Sequence, residues 1–210
     1  MFLTSPAFER NKEPIARAME RAGMHESDYI LELGSGPGQH AVFLASRWPT
    51  TRVQPTDPDE AARASCDARA EAAGFLGEKV FYAREVDVGQ DTWEYVDGDA
   101  PYEGVLAINV VHIMPRTAIA NFFEGAAARL RTGGTLGIYD TWTFGGEYVG
   151  PNNERFDAQL RAQGYGGVAS IEECDAAAAD AGLKRDDVQY LPANNQFVTY
   201  VRRAEGVRSS

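Results

Sequence analysis

The sequence predicts an α/β fold: a mostly parallel seven-stranded sheet with helices on both faces and a C-terminal antiparallel hairpin. Three observations predict it. Apolar runs of strand length alternate along the 210 residues with longer stretches of helical spacing, the pattern of a parallel sheet. The run Ile30-Leu31-Glu32-Leu33 stops at a loop with glycine at alternate positions, and a helical stretch follows. Strand, glycine turn and helix make the first half of a nucleotide-binding βαβ unit. The last two strand-like runs, 187–192 and 197–202, flank Ala193-Asn194-Asn195, a turn short enough for a hairpin.

Residues 1–27 precede the first strand and are expected to form an N-terminal lid segment. Ser5-Pro6-Ala7-Phe8 reads as extended, and Asn11-Lys12-Glu13-Pro14 opens a helix with proline in its first turn. Ile15, Ala18, Met19 and Ala22 form its apolar face, and Gly23 ends it. The polar cluster at 9–12 is denser than a lead-in needs; it is either a solvated helix start or part of a lid. After the glycine loop, Ala41, Leu44, Ala45 and Trp48 share a helix face. Residues 51–57 form the second strand, 60–73 an alanine-rich helix and 79–88 the third strand. Residues 104–108 are a buried central strand that ends at Asn109. Ile119, Phe122, Phe123, Ala126, Ala127 and Leu130 mark the core face of the next helix. Arg131-Thr132-Gly133-Gly134 turns into strand 135–139, with Asp140-Thr141-Trp142 at its carboxyl end. Residues 143–168 hold six of the 21 glycines around a short helix at 153–163, as in a lid or a substrate-specificity insertion. Residues 171–181 are helical, and the tail 204–210 is expected to be mobile. There is no internal repeat or linker, so residues 1–210 read as one domain.

Lys and Arg number 20 against 31 Asp and Glu, a net charge of −11. That disfavours a nucleic-acid partner, which needs a basic footprint, and leaves proteins and small molecules as acceptors. Cys66 and Cys174 have no Cys or His at metal spacing, so no metal site is read; unpaired thiols suit a reducing, cytoplasmic setting. No signal peptide opens the chain, and no apolar run approaches the ~20 residues of a membrane span.

Gly34, Gly36 and Gly38 would let backbone approach a ligand where a Cβ collides. The dinucleotide fingerprint needs glycine at 39, which is Gln39, and no Lys or Arg lies between Asp28 and Ser46 to meet a pyrophosphate. Glu32 at the strand end suits a ligand with an ammonium group. E-x-G-x-G-x-G after a strand, here Glu32, Gly34, Ser35, Gly36 and Gly38, resembles motif I of the class I S-adenosylmethionine (SAM) methyltransferases. A dinucleotide site and a purely structural turn are the alternatives. Asp57 follows Gly38 by 19 residues, the spacing of a carboxylate that holds ribose hydroxyls. It would otherwise cap the next helix, a role Asp59 can equally fill.

More segments narrow the resemblance. Ser5-Pro6-Ala7-Phe8-Glu9-Arg10-Asn11-Lys12-Glu13-Pro14-Ile15, the loop with Pro37 where threonine is common, Gln54-Pro55-Thr56-Asp57 and Asn109-Val110-Val111-His112-Ile113 are similar to segments of one family. So are Asn152-Asn153-Glu154-Arg155-Phe156-Asp157 and Pro192-Ala193-Asn194-Asn195. The chain resembles the domain-of-unknown-function 938 family, also called methyltransferase-like 26 type, nearly end to end. The resemblance implies a Rossmann-like class I methyltransferase fold with SAM at motif I. It also implies Asp87 as a reader of the adenine amino group, unless Asp87 only forms a turn, and Arg10 and Asn11 as holders of the methionyl carboxylate or the acceptor. The chain departs from the family at Asp140-Thr141-Trp142, usually Gly-Pro-aromatic, and at Gln163-Gly164-Tyr165-Gly166-Gly167.

Ligands of open α/β sheets sit beyond the carboxyl ends of strands, where Asn109 and His112 fall. His112 is the best base by residue type and Asp140 the second; a structural hydrogen-bonding role is the alternative for His112. Trp142, Asn153 and Asn195 are expected in the substrate pocket, with Trp142 facing the sulfonium or packing in the core. The leading reading is a SAM-dependent methyltransferase acting on a small molecule. A second is an enzyme that attacks SAM's own γ-carbon, closes a four-membered ring and releases methylthioadenosine. A third is a SAM-binding protein without turnover.

Overall fold

The structure is a computed structural model that describes residues 2–90, 92–93 and 102–203; the tail 204–210 lies outside them. Its centre is a six-stranded sheet formed by β1 (Tyr29–Leu33), β2 (Arg52–Thr56), β3 (Tyr102–Ile108), β4 (Leu130–Asp140), β8 (Leu183–Leu191) and β9 (Asn195–Arg202). The spatial order is β2-β1-β3-β4-β9-β8; the first four strands run parallel and β9 lies antiparallel to both β4 and β8. A small sheet of β5 (Trp142–Phe144), β6 (Glu147–Tyr148) and β7 (Ala169–Ser170) sits beside it.

Alternation along the strands builds two cores. Leu31, Leu33, Val105, Ala107, Val198 and Tyr200 face one side with α4 (Ile119–Arg129) and α6 (Ile171–Asp180). Ile30, Leu106, Ile108 and Phe197 face the other, where Ile15 and Met19 of α1 (Phe8–Arg21) and Leu44 of α2 (Gln39–Arg47) cover them. This period-two division of apolar residues is what a strand buried on both faces requires. α3 (Glu60–Ala72) and α2 enclose Val53, Ala70 and Val80 in a third cluster.

The expected seventh strand at 79–88 is not formed as a regular element. Residues 79–84 run beside β2 through separate bridges, Val53 to Val80 and Thr56 to Arg84. The reason lies in β2: Pro55 has no N–H, so the ladder loses a donor at its middle. The Gln54 side chain fills in, its Nε2 donating to the Tyr82 carbonyl at 2.9 Å. The ladder then resumes out of step, with Arg84 N donating to Pro55 O at 3.0 Å.

A second difference concerns α1, which starts at Phe8 and carries Pro14 in its interior rather than in its first turn. α5 (Pro151–Ala162) instead has the proline start, and it leans over the carboxyl end of the sheet from within the glycine-rich segment.

Candidate active site

β2 and β3 lie on opposite sides of β1, so the sheet's order reverses there and a crevice opens beyond β1 and β3. The loop after β1 lines it. Gly34, Gly36 and Gly38 all have left-handed φ, at 63°, 51° and 76°. Their surroundings differ. A Cβ on Gly38 would meet Cys66 Cα at 2.7 Å, and one on Gly34 would meet Val110 Cγ2 at 2.7 Å. A Cβ on Gly36 would meet nothing within 4 Å. The equal roles expected for the three glycines are therefore corrected. Gly34 and Gly38 let the loop pack on the protein, and Gly36 alone faces open space.

Ser35 pins the loop to the sheet: its N–H donates to Thr56 O at 2.8 Å, its Oγ donates to Glu32 O at 3.2 Å and accepts from Thr56 N at 3.1 Å. Asp57 holds the loop from the other side, one oxygen accepting from Gly36 N at 2.8 Å and the other from Asp59 N at 2.9 Å. Asp59, not Asp57, caps α3 by accepting from Ala62 N at 2.8 Å. Burial raises the Asp57 pKa. Asp87 is exposed and forms a turn, accepting from Gly89 N at 2.9 Å.

A cavity of about 190 Å³ lies against this loop, lined by Glu32, Gly34, Ser35, Gly36, Gln39 and His40 among others. Glu32 is 2 % exposed, and its Oε2 has no partner. Burial, with a smaller contribution from Asp57, pushes its pKa up to about 8. The Asn11 Oδ1 and His40 Nδ1 are likewise buried without partners. Burial lowers His40 to about 4, so the ring is neutral at physiological pH. The N-terminal strand-like lead lies alongside: Ser5 N donates to Gln39 Oε1 at 2.5 Å, and the Phe8 and His40 rings meet edge-on at 4.9 Å.

Asn11 and Asn109 also line a second, larger cavity of about 630 Å³. Asn109 adopts φ 59°, a left-handed turn that asparagine tolerates better than most residues, and this swings the chain off β3. His112 follows in that turn. Its Nδ1 lies 2.6 Å from Asp140 Oδ1, and Nε2 has no partner among the described residues. Asp140, 1 % exposed, also accepts from Val111 N at 3.0 Å, His112 N at 3.4 Å and Thr141 N at 2.7 Å. Burial alone would lower the His112 pKa, but the Asp140 charge and hydrogen bond outweigh it and raise it. The Phe156 ring from α5 packs edge-on at 5.2 Å.

Asn153 also reaches this wall from α5. It donates to Thr141 Oγ1 and, at 3.2 Å, to Asn194 O. Asn195 lines the cavity from the β8–β9 turn, and Arg10 and Asn11 line it from α1. Trp142 is corrected. It is fully buried in the main apolar core and lines neither cavity, because the strand's alternation turns Thr141 toward the cavity and Trp142 away. Tyr139, Asn152, Phe156 and Asn194 are cavity residues that sequence reasoning missed. Asn152 and Asn194 sit beside residues it did single out. Among the described residues no His, Cys, Asp and Glu cluster suits a metal ion, and no helix is long and apolar enough to cross a membrane.

The strand order, the glycine loop at its reversal and the helices on both faces define the class I SAM-dependent methyltransferase fold. Solved structures agree. An O-methyltransferase family protein from Burkholderia thailandensis superposes with a TM-score of 0.79 at 16 % identity, over 95 % of this chain and 58 % of that one. Human N-acetylserotonin methyltransferase in complex with SAM gives 0.74 at 13 %, over 94 % and 53 %. The trans-aconitate 2-methyltransferase of Variovorax paradoxus is 36 % identical over 76 residues, 34 % of this chain and 29 % of that protein. The chain thus spans little more than half the length of these structural relatives, and its match to the curated one is shorter still. Residues 3–202 match the family described as "Protein of unknown function (DUF938)", and the chain belongs to that family.

Proposed function

We propose that this protein is a SAM-dependent methyltransferase acting on a small-molecule acceptor. One observation carries the reading: two cavities share Asn11 and Asn109 in their walls, one holding the glycine loop with a buried carboxyl whose Oε2 is unpaired, the other holding a histidine braced by an aspartate. The first fits SAM, since the lone Glu32 Oε2 and Asn11 Oδ1 are acceptors for an ammonium group and Gly36 leaves room for the ligand's body. When bound, SAM supplies an electrophilic methyl carbon, whose bond to sulfur breaks with its electron pair as the acceptor's atom bonds to it.

The chain's own residues do the rest. Asp57 and Ser35 hold the loop in shape, and Asp57 keeps lone pairs free for ribose hydroxyls. Asp140 fixes the His112 ring with Nδ1–H donating, which leaves Nε2 as the base toward the cavity. His112 Nε2 takes the proton of a hydroxyl acceptor, and Asp140 stabilises the imidazolium that results. Residues 143–168 act as a specificity insertion, contributing Asn152, Asn153 and Phe156 to the wall. Residues 2–7 act as a lid over the loop; deleting them raises the SAM dissociation constant and leaves the sheet folded, as circular dichroism and calorimetry would read.

The curated relative is named for a small acceptor, which supports that class here. Attack on SAM's γ-carbon loses the tryptophan it relied on, since Trp142 is in the core. Calorimetry with SAM and S-adenosylhomocysteine tests the binding, and mass spectrometry tests the chemistry. Methyl transfer predicts no product from SAM alone. Enzyme-dependent methylthioadenosine in that reaction, or no binding of either ligand, would refute the proposal.

A further inference from the structure

The larger cavity carries one cation on its wall, and that cation is exposed to solvent. Arg10 lines it, and its side chain makes no hydrogen bond or ion pair with any described residue. No Asp or Glu lines this cavity, although the chain carries a net charge of −11. His112 also lines it; as a base it is neutral, and the charge of Asp140 sits behind it, off the cavity wall. Arg10 is therefore the charged side chain on the cavity wall among the described residues. Around it, the side chains of Asn109, Tyr139 and Asn152 have no hydrogen bond among the described residues. Asn109 is half-buried and Asn152 exposed, so both amides can meet a ligand that enters from solvent.

Arg10 is absent from the smaller cavity. There, the first turn of α2 presents the N–H groups of Gln39 and His40, which have no helical partner and suit the methionyl carboxylate. Arg10 is thus left for the acceptor. A single unpaired guanidinium matches a monoanion, and its planar fork matches a carboxylate. The cavity, about 630 Å³, lies within the ~300–1,000 Å³ range of small-ligand sites.

We propose that the acceptor is a small hydroxycarboxylic acid, with its carboxylate on Arg10, its hydroxyl at His112 Nε2 and its polar body against the asparagine amides. The proposal rests on the methyltransferase reading. It assigns Arg10 to acceptor specificity and not to the cofactor. The transferred methyl forms an ether with the hydroxyl oxygen, the carbon–sulfur pair leaves with sulfur, and the hydroxyl proton goes to His112.

The test is titration calorimetry on the full chain saturated with S-adenosylhomocysteine. The probes are lactate, 4-hydroxybenzoate and 4-hydroxyphenylacetate, each against its neutral amide. At least one acid should bind about tenfold or more tightly than its amide and yield a methyl ether with SAM. Arg10→Gln should erase that preference while leaving S-adenosylhomocysteine affinity within about twofold, and Arg10→Lys should restore part of it. The proposal falls if no acid is preferred over its amide. It also falls if Arg10→Gln weakens S-adenosylhomocysteine about tenfold with the acid preference intact, which would return Arg10 to the cofactor. Failure of the native chain to bind S-adenosylhomocysteine at all would instead refute the methyltransferase reading itself.

Discussion

Glu32→Gln separates the cost of the empty site from its use. In the ligand-free protein the Glu32 carboxyl is fully enclosed, and its pKa sits at about 8 against the usual 4.5. Between these values the folded chain binds one more proton than the unfolded chain, so stability falls as pH rises. The slope is about 1.4 kcal/mol per pH unit, or roughly 2.5 kcal/mol between pH 5.5 and 7.5. Glutamine has the same shape and no charge, so the variant lacks this slope. Its Tm relative to the native chain should climb by about 5–10 °C over those two units. Differential scanning fluorimetry from pH 5 to 9 reads this directly, and any fixed cost of burying the amide cancels in the difference. Bound SAM should reverse the sign. Its ammonium holds Glu32 ionised, so binding near pH 7 releases about one proton, and Glu32→Gln weakens affinity by about ten- to a hundredfold. Calorimetry in buffers of different ionisation enthalpy counts that proton. Parallel Tm curves together with no proton release would show that Glu32 neither strains the empty site nor meets the ligand's charge.

The glycines should part company: Gly36→Val loses SAM binding in a folded protein, whereas Gly38→Ala strikes the Cys66 backbone and lowers stability instead. Urea melts and calorimetry distinguish the two, and intact SAM affinity in folded Gly36→Val would overturn the cofactor assignment. Asp57→Ala removes the acceptor for Gly36 N, so stability should fall by about 1–3 kcal/mol and SAM affinity with it. A lower Tm with unchanged affinity would limit Asp57 to holding the loop. His112 works as a base only when neutral, so kcat/KM should rise with pH through a pKa above the usual 6.5. In Asp140→Asn, burial acts unopposed, so that limb should move to lower pH while kcat drops; an unmoved limb would mean that another group sets it.

What the sequence made legible follows from how local each cause is. The turn at Gly34 to Gly38 and the alternation in β1 and β3 are written in neighbouring residues, so the βαβ unit and its crevice could be read directly. The edge beyond β2 could not, because its irregularity comes from a missing N–H at Pro55 and a side-chain substitute at Gln54 that only pairing reveals. Glycine roles were hidden for the same reason: whether a Cβ collides depends on Cys66 and Val110, 28 and 76 residues from their glycines. At the site, His112 and Asp140 were each legible as strand-end residues. Their 2.6 Å contact depends on β3 and β4 pairing in register, Ile108 beside Tyr139, which brings the two strand ends level. The same register decides the fate of the residues that follow. A shift of one position would turn Trp142 to the cavity and Thr141 to the core. A tryptophan's size and apolarity favour the outcome seen, since Trp142 fills the core while Thr141 Oγ1 accepts from Asn153 of α5. Asp140-Thr141-Trp142 thus places a carboxylate that holds His112, a hydroxyl on the cavity wall and a core anchor in three directions from one strand end.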